Sequence, residues 1–389
     1  GIFGAQYYGR GDMDGVRHTF RFKVLVAAAI TAGAIGLFLA LGPTLIGAYI
    51  AADTSPADAA ATRDYAWGYL RIMLVGLAPF ALTQCYAGTL RESGQTVLPM
   101  KASMLAMVVN FVFNLLLIFG LCGFPKMGVA GAAVATVLSR FVELLIVVIG
   151  AHRSTGRYPF FAGVYRSFAI PRALAGDIFR KSMPLLVNEL MWGMGQAVLL
   201  QCYSVRGIQA VAALNICNTI AQIFNEVFLS LGNATAIVVG QELGADRLTG
   251  ARRTAWRMLS LSAASCVVMG TLLTICAPLI PQIYNTEESI RLLATELIRM
   301  AALCMPLFGF ANCAYFTLRS GGKTFITFLF DSCFSWVVSV PAAYCLSRFT
   351  GLPLVSIYLI VNGLDIVQCA IGFVLVKKGV WVKNIVSEA

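Results

Sequence analysis

GAQYYGRGDMDGVRHTFRFK at residues 4–23 returns, thinned but in register, as VGQELGADRLTGARR at residues 239–253. Gln6 and Gly9 recur as Gln241 and Gly244, Arg17 as Arg252, and Tyr49 as Tyr284, all at an offset of 235. The offset then becomes 228. Arg71 matches Arg299, Leu90-Arg91 matches Leu318-Arg319, Gly94 and Thr96 match Gly322 and Thr324, and Gly123 and Pro125 match Gly351 and Pro353. The change of seven falls at the polar loop TSPADAAATRD, residues 54–64, which is longer in the first copy. Residues 1–150 are thus echoed by residues 236–377. A tandem pair of membrane units is a hallmark of transporters, whose substrate sites lie between the copies.

The membrane assignment rests on composition and run length. The chain is 59% hydrophobic and 12% charged, against roughly 45–50% and about 25% in soluble domains. Apolar stretches near 24–51, 64–89, 98–121, 128–151, 182–204, 209–239, 255–283, 293–318, 324–347 and 353–376 each reach the roughly 20 residues a spanning helix needs. In hydrocarbon every backbone group must be bonded within its own segment, so such runs are helices. A β-barrel would show shorter segments alternating in polarity.

The net charge of +11 does not indicate nucleic acid, because no long Lys/Arg run exists. Connections on one side hold 21 of the 29 basic residues, among them Arg10, Arg17, Arg21, Lys23, Arg153, Arg172, Arg252 and Lys378. That bias assigns this side, and the C-terminus, to the cytoplasm. Eleven single cysteines without a CxxC pair suggest small apolar side chains rather than a disulfide framework. Two histidines, His18 and His152, do not supply a His-based metal site. No GxSxG, HExxH or P-loop supports a membrane-embedded enzyme, and no cofactor is expected.

The copies are six spans apart, an even number, so they share one orientation. The second copy is preceded by two helices, near 182–204 and 209–235, and the first copy is not. Internal symmetry therefore leads us to expect about 60 further residues ahead of Gly1. The complete protein is expected to be an all-α integral membrane protein of twelve helices in two pseudo-symmetric six-helix lobes. About ten of these, plus a partial helix, are present here. The expected division is an N-lobe at 1–151, a basic cytoplasmic linker at 152–181 lying on the anionic leaflet, and a C-lobe at 182–389.

Several stretches then resemble one family, the MATE (multidrug and toxic compound extrusion) transporters. The two opening motifs resemble the end of its second helix and the following loop. TLRESGQTVLPM (89–100), NFVFNLLLIFG (110–120) and FPKMGVAGAAVAT (124–136) resemble its fourth-to-sixth helix region. SMPLLVNELMWGMGQ (182–196) resembles the seventh helix of a bacterial subgroup. RSGGKTFITFLFDSCFSWVVSVP (319–341) and GLPLVSIYLIVNGLDIVQ (351–368) resemble its last two helices. The resemblance covers essentially the whole chain in order. It implies export of small organic, often cationic, solutes in exchange for Na+ or H+, by an expected monomer in the bacterial inner membrane. A lipid-linked saccharide flippase of the same superfamily is the alternative. The acidic residue that many bacterial members carry lies in the first helix, which is expected among the residues ahead of Gly1, so no N-lobe cation site is assigned here.

Ionisable groups at membrane depth are functional candidates by default. Glu189 and Asp331 lie about seven residues into helices entering from the cytoplasm, near 10 Å deep at about 1.5 Å per residue. Glu226 is expected at similar depth, and Asp365 mid-helix. Burial and nearby cations govern how a carboxylate trades protons for other cations, the property an antiporter needs. The amides Asn188 and Asn215, with Gln196, Gln201, Asn218, Gln222 and Asn225, can ligate Na+ or join helices. Glu143, three residues after Arg140, reads as half of a local ion pair. Pro79 and Pro306 interrupt matched helices of the two copies.

Overall fold

The computed structural model describes residues 1–49 and 55–387. The side chain of Tyr49, and Thr54 at the start of the polar loop, lie outside the described residues. Thirteen helices are named here in chain order. They are α1 (Ile2–Arg10), α2 (Met13–Tyr49), α3 (Pro56–Glu92), α4 (Val97–Phe119) and α5 (Val129–Arg153). After them come α6 (Arg172–Ser204), α7 (Ile208–Gly244), α8 (Leu248–Cys276), α9 (Glu288–Ser320), α10 (Thr324–Phe328), α11 (Val340–Phe349), α12 (Leu354–Gly363) and α13 (Asp365–Lys378). Among the described residues, nine helical rods are long and apolar enough to cross a membrane, α10–α11 and α12–α13 counting as one rod each. The 182–204 stretch lies in α6, which is long enough but less apolar, because Asn188, Glu189, Gln196 and Gln201 interrupt it.

Residues 11–171, with Gly1, form one unit. Its axis is α3, flanked by α2, α4 and α5. Ser55 caps α3 by accepting from the Asp58 amide at 3.2 Å, and Pro56 opens its first turn. Gly131 lets α5 approach α4 so closely that an added Cβ would lie 2.7 Å from the Leu117 carbonyl oxygen. The Arg140–Glu143 pair forms at 3.1 Å, and Ser103 on α4 donates to the other Glu143 oxygen at 2.7 Å.

The irregular stretch after α5 runs only from 154 to 171, because α6 already begins at Arg172, inside the segment expected as linker. It is folded back onto its own unit rather than left solvated. Phe160 and Phe161 are fully buried, and Arg21 on α2 donates to the carbonyls of Val164 (2.8 Å), Gly163 and Ala169 (both 3.5 Å). The Tyr165 hydroxyl sits 2.6 Å from that of Tyr86, and burial pushes Tyr165 above the ordinary tyrosine range.

Residues 2–10 with 172–389 form the second unit. Residues 2–10 were expected to close the N-lobe; here they pack along α7. The reason is a reciprocal glycine crossing: a Cβ on Gly9 would lie 2.0 Å from the Gln241 carbonyl oxygen, and one on Gly244 would lie 1.9 Å from that of Gln6. The repeat-mate pairs of the opening motif therefore meet each other. Gln6 is fully buried, donates to the Ser320 carbonyl at 2.9 Å and accepts from the Ile385 amide at 2.9 Å. Helix α9 is the axis of this unit, surrounded by α7, α8, α12 and α13. Beyond α13 the chain turns at Gly379 and buries Trp381 completely against the end of α9.

The repeat makes α9 the mate of α3, the α10–α11 rod the mate of α4, and α12–α13 the mate of α5. The mates differ in regularity. Helices α4 and α5 are continuous, whereas the α10–α11 rod contains two π-helical turns, Leu329–Cys333 and Ser335–Ser339. Pro341 accounts for the second of these turns: it has no amide to donate, and its ring crowds the Val337 carbonyl four residues back. Its mate in α4 is Phe113, which makes no such demand. The α12–α13 rod has a one-residue irregularity at Leu364, just after Gly363 and just before Asp365, and continues in the same direction.

Candidate functional site

Asp331 lies in the first π turn, and Asp365 directly follows the irregularity at Leu364. Asn188, 2% exposed on α6, ties Asp331 and its turn to the rest of the unit. Its Nδ2 donates to Asp331 Oδ2 at 2.8 Å and lies 3.4 Å from the Tyr315 hydroxyl of α9. Its Oδ1 accepts from the Ser332 hydroxyl at 2.7 Å and the Ser332 amide at 3.3 Å. The Ser332 hydroxyl is also 2.9 Å from the Asn188 carbonyl oxygen. One turn further along both elements, Trp336 Nε1 donates to the Met191 carbonyl at 2.9 Å. On α13, Gln368 donates to the Phe330 carbonyl at 3.1 Å, three residues after Asp365 and so on its face.

Glu189 follows Asn188 but points about 100° away around α6. It is exposed on this unit, yet it acts electrostatically on Asp331 and Tyr315. Asp365 in turn lies within the electrostatic reach of Asp331, and acts on the buried Tyr203 and Cys304. Four expected residues, Asn188, Glu189, Asp331 and Asp365, therefore fall in one neighbourhood. Glu226 and Asn215 do not join it: both lie on exposed faces of α7, where Asn215 is engaged only through its backbone carbonyl, accepting from Thr219 at 2.8 Å.

Ser332, Tyr315, Gln368 and Trp336 are site residues that the sequence reading passed over. Ser332 and Gln368 had a faint signal, as polar neighbours of the two aspartates in apolar runs. Tyr315 and Trp336 had none, because aromatic residues in apolar helices are ordinarily core or lipid-facing. Neither aspartate has a Lys or Arg paired to it by an ion pair among the described residues, which leaves their carboxylates open to a small cation, while Arg319 sits at the Tyr315 hydroxyl. Three or more His, Cys, Asp or Glu side chains placed as a metal cage are not found among the described residues.

A helical membrane protein built from tandem units, with carboxylates inside apolar helices and no Lys or Arg ion-paired to Asp331 or Asp365 among the described residues, has the build of a secondary transporter. The MatE family profile matches residues 1–116 and 184–345, and the chain belongs to that family. It is similar to YoeA of Bacillus subtilis, a probable multidrug resistance protein, with 24% identity over 290 residues, 75% of this chain and 63% of YoeA. It is also similar to NorM of Bacillus cereus, another probable multidrug resistance protein, at 26% identity over 355 residues, 89% of this chain and 75% of that one. The chain thus spans between about three-fifths and three-quarters of the length of these relatives. A crystal structure of MATE in complex with MaL6 overlays with a TM-score of 0.84 at 19% identity, covering 97% of this chain and 82% of that one. An outward-facing multidrug resistance MATE transporter overlays at 0.82. The all-α, multi-pass fold is therefore that of MATE transporters.

Proposed function

We propose that the protein is a secondary active exporter of small organic, often cationic, compounds, driven by exchange with Na+ or H+ in the bacterial inner membrane. The relatives' description as multidrug resistance proteins supports the substrate class. The observation that carries the exchange reading is Asp331: a membrane-depth carboxylate in a π turn, hydrogen-bonded through Asn188 and not neutralised by a basic partner. Glu189 completes the reading, because its charge acts on the same carboxylate from the exposed face of α6. A cation arriving there relieves the mutual repulsion of two carboxylates. Coupling requires that the ion bind one arrangement of the transporter better than another, since equal affinity shifts no population.

The test is drug efflux in everted vesicles with imposed Na+ or H+ gradients. Glu189→Gln and Asp331→Asn keep shape and remove charge. Efflux is expected to collapse in each while expression and thermal stability survive. A folded Asp331→Asn protein exporting at the wild-type rate with the same ion dependence would reassign that carboxylate to packing.

A further inference from the structure

An asparagine amide offers two donors and two acceptor lone pairs. At Asn188 both ends are engaged: Nδ2 faces Asp331 and Tyr315, and Oδ1 faces the hydroxyl and the amide of Ser332. The single Ser332 hydroxyl proton is shared between Oδ1 and the Asn188 carbonyl oxygen. The side chain is 2% exposed, and its polar atoms are turned to these protein partners rather than presented as free ligands. What it does instead follows from its partners. In an α-helix an amide donates to the fourth residue back; a π turn widens that ladder, and here Asn188 Oδ1 also accepts from the Ser332 amide from the side. The same amide holds the reactive carboxylate and the backbone of the turn that presents it.

We propose that Asn188 is a positioning residue that ties the charge on Asp331 to the π-helical register of residues 329–339; the inference rests on the reading of Asp331 as the ion-exchanging group. A bond from an amide to a charged carboxylate is roughly twice as strong as one to a neutral acceptor. When Na+ or a proton loads Asp331, the oxygen facing Nδ2 becomes a poorer acceptor. The amide then gains by turning toward Tyr315, and turning withdraws Oδ1 from Ser332. The freed Ser332 amide is satisfied by closing to an α-helical bond, and a π-to-α change moves every residue beyond it around the helix axis. Trp336, which is anchored to Met191 on α6 at 2.9 Å, lies within that moving stretch. The exchange involves hydrogen bonds only. Charged and titratable neighbours surround the carboxylate from each packed element: Glu189 on α6, Tyr315 on α9 with Arg319 at its hydroxyl, and Asp365 on α13.

The experiment uses the full-length protein labelled with 5-fluorotryptophan, with the Trp336 resonance assigned by loss in Trp336→Phe. Na+ is titrated at fixed pH, and pH at fixed Na+. The Trp336 resonance is expected to move with whichever ion drives efflux, and to stop moving in Asp331→Asn. In Asn188→Ala the midpoint is expected to shift by at least about fivefold, because a hydrogen bond to a charged group is lost, while the KM for the exported drug changes little. Ser332→Ala removes only the hydroxyl contacts and is expected to shift the midpoint in the same sense. It also stands in if Asn188→Ala fails to fold. A smaller shift in whichever of these variants folds overturns the positioning role. If Asp331→Asn itself keeps the wild-type ion dependence of efflux, the failure lies in the assignment of Asp331, which the transport assay reports separately.

Discussion

Replacing Gly244 with alanine sets two physical effects of opposite sign against each other. Helix propensity favours the change only weakly, since alanine is about 1 kcal/mol better than glycine in a helix interior and Gly244 is the last residue of α7. Packing opposes it. The new Cβ would lie 1.9 Å from the Gln6 carbonyl oxygen, where ordinary contact begins at 3.4 Å. The obstacle is backbone, which cannot rotate away, so α1 and α7 must separate by about 1.5 Å. Such overpacking costs about 1–3 kcal/mol. The separation also stretches the two 2.9 Å bonds of the buried Gln6, to Ser320 and from Ile385, past useful length, at about 1 kcal/mol each. The packing loss exceeds the propensity gain, and the net expectation is a destabilisation of about 2–4 kcal/mol. Thermal unfolding of the purified protein in detergent, followed with a thiol-reactive dye, measures it. Gly193→Ala is the control, because nothing lies within 4 Å of its added Cβ; it is expected to be neutral or mildly stabilising. Gly9→Ala is expected to behave like Gly244→Ala, and the double variant to lose less than the sum, since helices once parted accept the second methyl. A Gly244→Ala protein as stable as the wild type would refute the close crossing.

Two further outcomes are expected from the folded-back segments. Arg21→Ala removes the guanidinium that holds the carbonyls of residues 163–169, at a cost of about 2–3 kcal/mol; trypsin should then cut faster at Arg166 and Arg172, with Arg21→Lys intermediate, and unchanged cleavage would deny that Arg21 clamps the segment. Trp381→Ala empties a fully buried indole site and removes a 3.2 Å bond to the Val376 carbonyl, so unfolding should be easier by about 3–5 kcal/mol; a wild-type melting temperature would show that the tail contributes nothing to the unit.

Much of the architecture was legible because membrane constraints are coarse. Run length and the echo of Gln6 and Gly9 in Gln241 and Gly244 were enough to place the helices and their duplication, and the crossing of those four residues gives the echo its physical cause. The Arg140–Glu143 pair was legible because helical spacing fixes it. The site was harder. Asp331 and Glu189 stood out as charges in apolar runs, but the π turns did not, since a helix with a widened turn has the same composition as one without. Pro341 was the available clue, and it lies ten residues from Asp331. Tyr315 reaches Asn188 from a helix 127 residues away in sequence, a juxtaposition that no local pattern encodes. Glu226 has the same charge and the same apolar setting as Glu189, and nothing in the sequence distinguishes the one near the cluster from the one that is apart from it.

The duplication supplies its own control for the site. The mate of Asp331 in the first copy is Ser103, and the mate of Asp365 is Val137. In the first copy the carboxylate between the corresponding helices is Glu143, and it is held by both Arg140 and Ser103. A carboxylate neutralised by an adjacent guanidinium has little to gain from a further cation, and the helices that carry it are regular. In the second copy neither Asp331 nor Asp365 has an ion-paired Lys or Arg among the described residues, and the rod that carries Asp331 is widened at residues 329–339. The two copies of one unit thus use similar polar groups differently. Pro341, which the first copy replaces with Phe113, gives part of the widening a local cause that owes nothing to charge. What the second copy adds is the brace: Asn188 bonds both Asp331 and Ser332 in the widened turn, so the carboxylate without a basic partner and the irregular backbone are held by one side chain.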